Sequence, residues 1–142
     1  MKGTGEMATG PGPALANSVL VVDDEPIIVK RLTGLLERLG FRVTAFTDSD
    51  LALTELARRR FEFVITDLKM RKNDGLRILR NARRHDRECQ MIVITGLGNG
   101  LHVSEALKAG AAECLNKPFR IEELKATLER LQNHRELQRL VA

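Results

Sequence analysis

Tryptophan and tyrosine are absent from this sequence, and phenylalanine occurs only five times in 142 residues. So few aromatic rings exclude the stacking surface on which single-strand nucleic-acid binders depend. Cysteine is equally scarce. Cys89 and Cys114 form no Cys-x-x-Cys pair and no disulfide framework, which points to reduced thiols in a cytoplasmic protein. No apolar run reaches the roughly 18 residues needed to cross a bilayer, and Met1 to Ala16 lacks the apolar segment of a secretory signal. The formal net charge of +4 is too mild to announce a nucleic-acid partner. His85, His102 and His134 lie far apart and match no metal-ligand spacing.

What remains is a 43% hydrophobic chain long enough for one domain with its own core. Met1 to Ala16, rich in Gly and Pro, reads as a flexible leader. Ser18 to Val22 is then apolar for a strand's length and ends at Asp23-Asp24-Glu25. Pro26 follows at a first helical position, where its missing N–H costs nothing. Ile28, Leu32, Leu35, Leu36 and Leu39 recur at helical spacing until Gly40. Phe41 to Phe46 alternates as a second strand. A second helix capped by Thr47, Asp48 or Ser49 turns Leu53, Leu56 and Ala57 inward and ends at Arg58-Arg59-Arg60, a cationic terminus expected to face solvent.

Phe61 to Asp67 is the third strand. Its Phe63, Val64 and Ile65 suit burial on both faces, and it stops at a carboxylate. After a loop, Asp74-Gly75 opens a third helix with Leu76, Leu79 and Ala82 on one face. Gln90 to Thr95 is a fourth strand. A short helix with Val103, Ala106 and Leu107 ends at Gly110, and Ala112 to Leu115 is a fifth strand. A last helix starts near Ile121 and buries Ile121, Leu124, Leu128 and Leu131. Gly96, Gly98 and Gly100 do not fit G-x-G-x-x-G, which needs a glycine at Leu101, so the loop is read as mobile rather than nucleotide-binding.

Alternating strands and helices predict a parallel sheet with helices on both faces, and the units are too few to close a barrel. The expected fold is therefore α/β: an open, flavodoxin-like (βα)5 sheet in strand order 2-1-3-4-5, with its switch point between strands one and three. That order brings Asp23, Asp24 and Asp67 to one crevice. Three acids so close repel one another unless a cation sits among them, and clustered carboxylates beside a phosphate suit Mg²⁺. Thr95, ending the fourth strand, and Lys117, just past the fifth, share that edge. Mg²⁺, a hydroxyl and an ammonium match the needs of three equatorial phosphoryl oxygens, leaving one carboxylate as nucleophile for an acyl phosphate.

Asp23-Asp24 after strand one, Asp67 with Leu68-Lys69-Met70 and Asp74-Gly75, Thr95, and Lys117-Pro118 together resemble the receiver domain of bacterial two-component response regulators, from about Ser18 to Leu131. The resemblance implies Asp67 as phosphoacceptor, Asp24 as a direct Mg²⁺ ligand, Asp23 acting through water and the backbone carbonyl of Lys69 as a further ligand. It implies that Thr95 and Lys117 each take a phosphoryl oxygen and that the Lys117-Pro118 bond is cis. It further implies a signalling domain of a phosphorelay, promoting its own phosphorylation and dephosphorylation rather than acting as an enzyme. Its partners would be a sensor histidine kinase or phosphotransfer protein and a downstream protein or a missing effector domain.

Three departures from the family pattern stand out. Arg71 replaces a usual proline, which leaves the loop less rigid. Cys114 replaces an aromatic that swings inward on activation, and Arg120 replaces a capping Ser or Asp, leaving the last helix to Glu122 and Glu123. Lys69 and Leu97 stand where the family tunes phosphate lifetime. The expected organisation is a leader over 1–16, a receiver domain over 17–132 and a helical extension or linker over 133–142. That extension, with Leu137 and Leu140 on one face, serves as a homodimer seam, a linker or a frayed end. It is too short for a DNA-binding module, so no direct nucleic-acid or membrane contact is expected. Two rivals remain: a small Mg²⁺-dependent aspartate phosphohydrolase, and a receiver-shaped scaffold that is never phosphorylated.

Overall fold

The computed structural model describes residues 12–71, 74–96 and 100–141. Most of the expected leader, the loop positions 72–73 and the glycine loop positions Leu97 and Gly98 lie outside the described residues. The chain alternates strictly: β1 Leu15–Val22, α1 Pro26–Arg38, β2 Arg42–Phe46, α2 Ser49–Arg58, β3 Phe61–Asp67, α3 Asp74–His85, β4 Gln90–Thr95, α4 Gly100–Lys108, β5 Glu113–Asn116 and α5 Ile121–Val141. All strand pairs are parallel and the order is β2-β1-β3-β4-β5, as the alternation predicted.

Because strand side chains alternate between faces, the apolar runs split into two cores. Leu20, Val22, Val64, Met91 and Val93 pack with Ala52 and Leu56 of α2, Ile78, Leu79 and Ala82 of α3, and Ala106 of α4. On the other face Val19, Val21, Phe63, Ile65, Ile92, Ile94 and Leu115 pack with Leu32 and Leu36 of α1 and Leu124, Leu128 and Leu131 of α5. Burial on both faces is why these strands read as continuous apolar runs rather than alternating ones.

Several local expectations need correction. β1 begins at Leu15, inside the stretch read as leader, because the register shifts between Leu15 and Val19 at a left-handed Asn17 (φ 60). Ser18 secures the irregularity: its hydroxyl donates to the Leu15 carbonyl at 2.6 Å and accepts the Glu62 N–H at 3.0 Å. In α2, Ala52 and Leu56 are buried and Leu53 packs partly buried against the same core, while Ala57 is exposed. Leu107 in α4 is likewise exposed, next to the buried Ala106. Arg59 does not face solvent freely: its guanidinium lies 4.5 Å from the Phe61 ring centroid, pairs with Glu55 at 2.9 Å and donates to the Thr44 hydroxyl.

The last helix continues through Asn133 and His134 to Val141, because both residues sit on its exposed face. Its second half is tied to the amino-terminal edge of the sheet. The Gln90 side-chain amide donates to the Leu131 carbonyl at 3.0 Å, and the Arg135 guanidinium lies 3.6 Å from Glu62 and 3.7 Å from Glu88. At its start, Glu123 accepts the Arg120 N–H at 3.0 Å, half of a capping box made without a capping side chain.

Gly75 sets how closely α3 approaches the sheet edge. A Cβ there would fall within 2.5 Å of the Asp67 carbonyl oxygen and closer still to that of Leu68. Gly34, inside α1, has nothing nearer than Arg38 at 4.0 Å. Gly75→Ala is therefore expected to lower unfolding free energy by about 1–3 kcal/mol through overpacking, while Gly34→Ala raises it by roughly 0.5–1 kcal/mol. Urea unfolding of the two variants checks both signs.

Candidate functional site

β1 and β3 are neighbours whose helices leave on opposite faces, so their carboxyl ends open a crevice. Into it the ends of β1, β3 and β5 deliver Asp23, Asp67 and Lys117. Asp67 closes β3, paired with Ile94, and its Oδ1 accepts the Lys69 N–H at 3.0 Å. Its Oδ2 accepts a hydrogen bond from Lys117 Nζ at 3.1 Å. Lys117 is anchored by its own backbone, whose N–H donates to the Thr95 carbonyl at 2.7 Å, and the Lys117-Pro118 peptide is cis.

Asp23 is 1% exposed. Its Oδ1 accepts the Glu25 N–H at 2.9 Å, while its Oδ2 lies 3.7 Å from Lys117 Nζ and has no hydrogen-bond partner among the described residues. Asp23, Glu25 and Asp67 each offer an oxygen within 4.8 Å of the others. Glu25 also reaches Lys117, at 3.8 Å. Thr95 is buried at the end of β4, one residue beyond the partner of Asp67, and its hydroxyl donates to the Gly96 carbonyl at 3.3 Å. Lys69 is exposed in the loop after β3.

Of the residues singled out from sequence, Asp23, Asp67 and Lys117 are therefore in direct contact or ion-pair range, and Thr95 stands on the adjoining strand end. Asp24 is turned elsewhere: its Oδ2 accepts the Arg71 N–H at 3.2 Å. Glu25, not selected as a site residue, takes its place in the acidic group. The chain bends at Asp24, where the Asp23 Oδ1 accepts the Glu25 N–H two residues on. Glu25 thereby comes within 3.8 Å of Lys117 Nζ, while Asp24 meets the Arg71 N–H. Nothing in the run Asp23-Asp24-Glu25 itself marks that bend, so the sequence did not single out Glu25.

Electrostatics follow from this packing. Burial, aided by the charges of Asp67 and Glu25, pushes the Asp23 carboxyl up from 3.8 to about 6, against the Glu25 N–H bond and the Lys117 charge. Burial works to lower the Lys117 ammonium, but the hydrogen bond to Asp67 and the charges of Asp67, Asp23 and Glu25 outweigh it and raise it. A buried carboxylate oxygen without a donor beside two further acids is the donor set a hard divalent cation prefers, so these residues fit one. Thiol chemistry has no place here: burial drives Cys89 up to about 12, and burial with the Glu113 charge raises Cys114.

Comparison with known proteins agrees with this geometry. Residues 19–129 match the response regulator receiver domain family. The nitrogen assimilation regulatory protein NtrX of Azorhizobium caulinodans is 35% identical over 118 residues, 82% of this chain and 26% of that protein. The transcriptional regulatory protein FixJ of Bradyrhizobium diazoefficiens is 32% identical over 111 residues, 78% of this chain and 54% of its own length. The chain thus spans from about a quarter to about half of these curated relatives. A CheY-like receiver domain protein of Methanospirillum hungatei superposes with a TM-score of 0.81 at 22% identity, over 86% of this chain and 98% of that one, which bears on the fold. The chain belongs to the receiver domain family of two-component response regulators, a family of signalling domains. No helix among the described residues is long and apolar enough to cross a membrane.

The raised Asp23 carboxyl has a stability consequence with a definite sign. A folded-state value near 6 against an ordinary 3.8 favours the fold fully below pH 4, and the benefit is lost as pH rises through 6. Above that, the buried charge costs about 3 kcal/mol. In chelator at pH 7.5, Asp23→Asn should be more stable to urea than the parent, and the gap should narrow by about half at pH 5 and close near pH 4. A gap independent of pH contradicts the assignment.

Proposed function

We propose that Asp67 accepts a phosphoryl group from a phosphohistidine of a sensor kinase or phosphotransfer protein, with Mg²⁺ held by the acidic crevice. The observation that carries the reading is the pair Asp67 Oδ2 to Lys117 Nζ, 3.1 Å apart, beside the donorless Oδ2 of Asp23. One Asp67 oxygen attacks phosphorus, an acyl phosphate bond forms, and the histidine nitrogen leaves with the electron pair of the broken P–N bond. Lys117, freed from the carboxylate it now neutralises, pairs with a phosphoryl oxygen. The Thr95 hydroxyl donates to another. Bound Mg²⁺ would offset the negative charge that gathers on the phosphoryl oxygens, with Asp67 and Asp24 as its direct carboxylate ligands, Asp23 acting through water and the Lys69 carbonyl as a further ligand.

The domain is then a switch for a partner: a downstream protein or an effector domain of a cytoplasmic regulator, as the names of the regulatory relatives suggest. Leu137 and Leu140, exposed on the far end of α5, supply a surface for that connection or for a second copy. The phosphohydrolase alternative gains no support. The acids come from the ends of β1 and β3, and Lys69 stands two residues past Asp67, where an Asp-x-Asp pair would put its second carboxylate.

Incubation with acetyl phosphate and Mg²⁺ should give a single base-labile phosphoryl adduct by intact mass. Asp67→Asn should abolish it, and Lys117→Ala should slow its formation by roughly 10²-fold or more through loss of one charge-stabilising donor. An adduct that persists in Asp67→Asn contradicts the assignment.

A further inference from the structure

We propose that the backbone N–H of Arg71 is a positioning group that holds Asp24 away from the acidic crevice, so that cation binding is coupled to the loop after β3. The inference rests on the phosphoacceptor reading of the crevice. Its basis is the hydrogen bond from Arg71 N–H to Asp24 Oδ2, 3.2 Å long and joining segments 47 residues apart. Arg71 has this donor because it is not proline; its side chain is exposed and takes no part. Two amides of one loop thereby each hold a carboxylate, Lys69 N–H on Asp67 and Arg71 N–H on Asp24.

Asp24 neighbours Asp23 and Glu25 in the chain, yet it is these two that join Asp67 within 4.8 Å. To give an oxygen to a cation in the crevice, Asp24 has to rotate toward it. That rotation either breaks the Arg71 bond or draws residues 68–71 inward with it. In both cases the loop reports whether the crevice is filled, and the bond opposes filling. A hydrogen bond to a partly exposed carboxylate is worth enough to weaken cation binding by roughly threefold to tenfold. The greater freedom expected of this loop from the missing proline is thus offset by a tether that proline cannot make.

The test is Mg²⁺ titration by calorimetry on the full chain at pH 7.5. Arg71→Ala keeps the N–H and should bind within about twofold of the parent. Arg71→Pro loses it and should bind roughly threefold to tenfold tighter. Equal affinities for the two variants, or weaker binding by Arg71→Pro, overturn the tether while leaving the crevice reading intact. Absence of Mg²⁺ binding by the parent overturns the crevice reading itself. Should Arg71→Pro not fold, amide NMR decides. The Arg71 N–H of the cation-free parent should be protected from exchange and should lose protection in Asp24→Ala. An Arg71 amide that is unprotected, or indifferent to Asp24→Ala, overturns the proposal.

Discussion

Lys117 sits among three carboxylates: 3.1 Å from Asp67, 3.7 Å from Asp23 and 3.8 Å from Glu25. One ammonium cannot neutralise three acids, and the imbalance is concentrated where burial is deepest, at Asp23. A buried charge without a full partner is costly, and its cost appears here as the upward pull on the Asp23 carboxyl. The fold tolerates that cost because two apolar cores on either side of the sheet hold the strand ends in place. A second cation would relieve it, and on the proposed reading a phosphoryl group on Asp67 would give Lys117 and that cation further oxygens to share. Local rules broken at one edge and obeyed elsewhere are what a functional site looks like in an otherwise consistent structure.

The topology explains why these acids meet at all. Parallel strands point their carboxyl ends one way, and α1 and α3 leave β1 and β3 toward opposite faces, opening the edge between them. Backbone bonds then fix each group. The Lys117 N–H on the Thr95 carbonyl aligns the ammonium, and Gly75 lets α3 close on the carbonyls of Asp67 and Leu68. Asp67 is thus positioned from two elements besides its own strand. Gly75 of α3 thus matters to the placement of Asp67 without reaching into the crevice.

Much of this was legible in the sequence. The apolar runs ending in Asp23, Asp67 and Thr95 marked the strands and their polar ends, and the spacing of Leu32 with Leu36 and of Leu124 with Leu128 marked the helices. Strand order followed from the count of repeats. What was not legible depends on orientation over one residue or on backbone donors. Asp23-Asp24-Glu25 does not say which two acids meet Lys117 until the bend at Asp24 is known. The Arg71 N–H and the irregular start of β1 at Asn17 are main-chain features with no side-chain signature. Arg59, one of three consecutive arginines, is distinguished from the others only by Phe61 and Thr44, which are brought to it by the sheet. The ion pairs from Arg135 to Glu62 and Glu88 that tie the continued α5 back to the sheet are contacts distant in sequence.

The central claim is that the crevice is a divalent-cation site completed by Lys117 and Asp67. The most direct measurement is anomalous diffraction from crystals of the protein grown with saturating Mn²⁺. The account predicts one strong peak in the crevice, about 2 Å from the Asp23 Oδ2 atom or its bound water and from an Asp67 oxygen, with Lys117 still facing the site. Crystals at saturating Mn²⁺ that carry no peak in the crevice would contradict it.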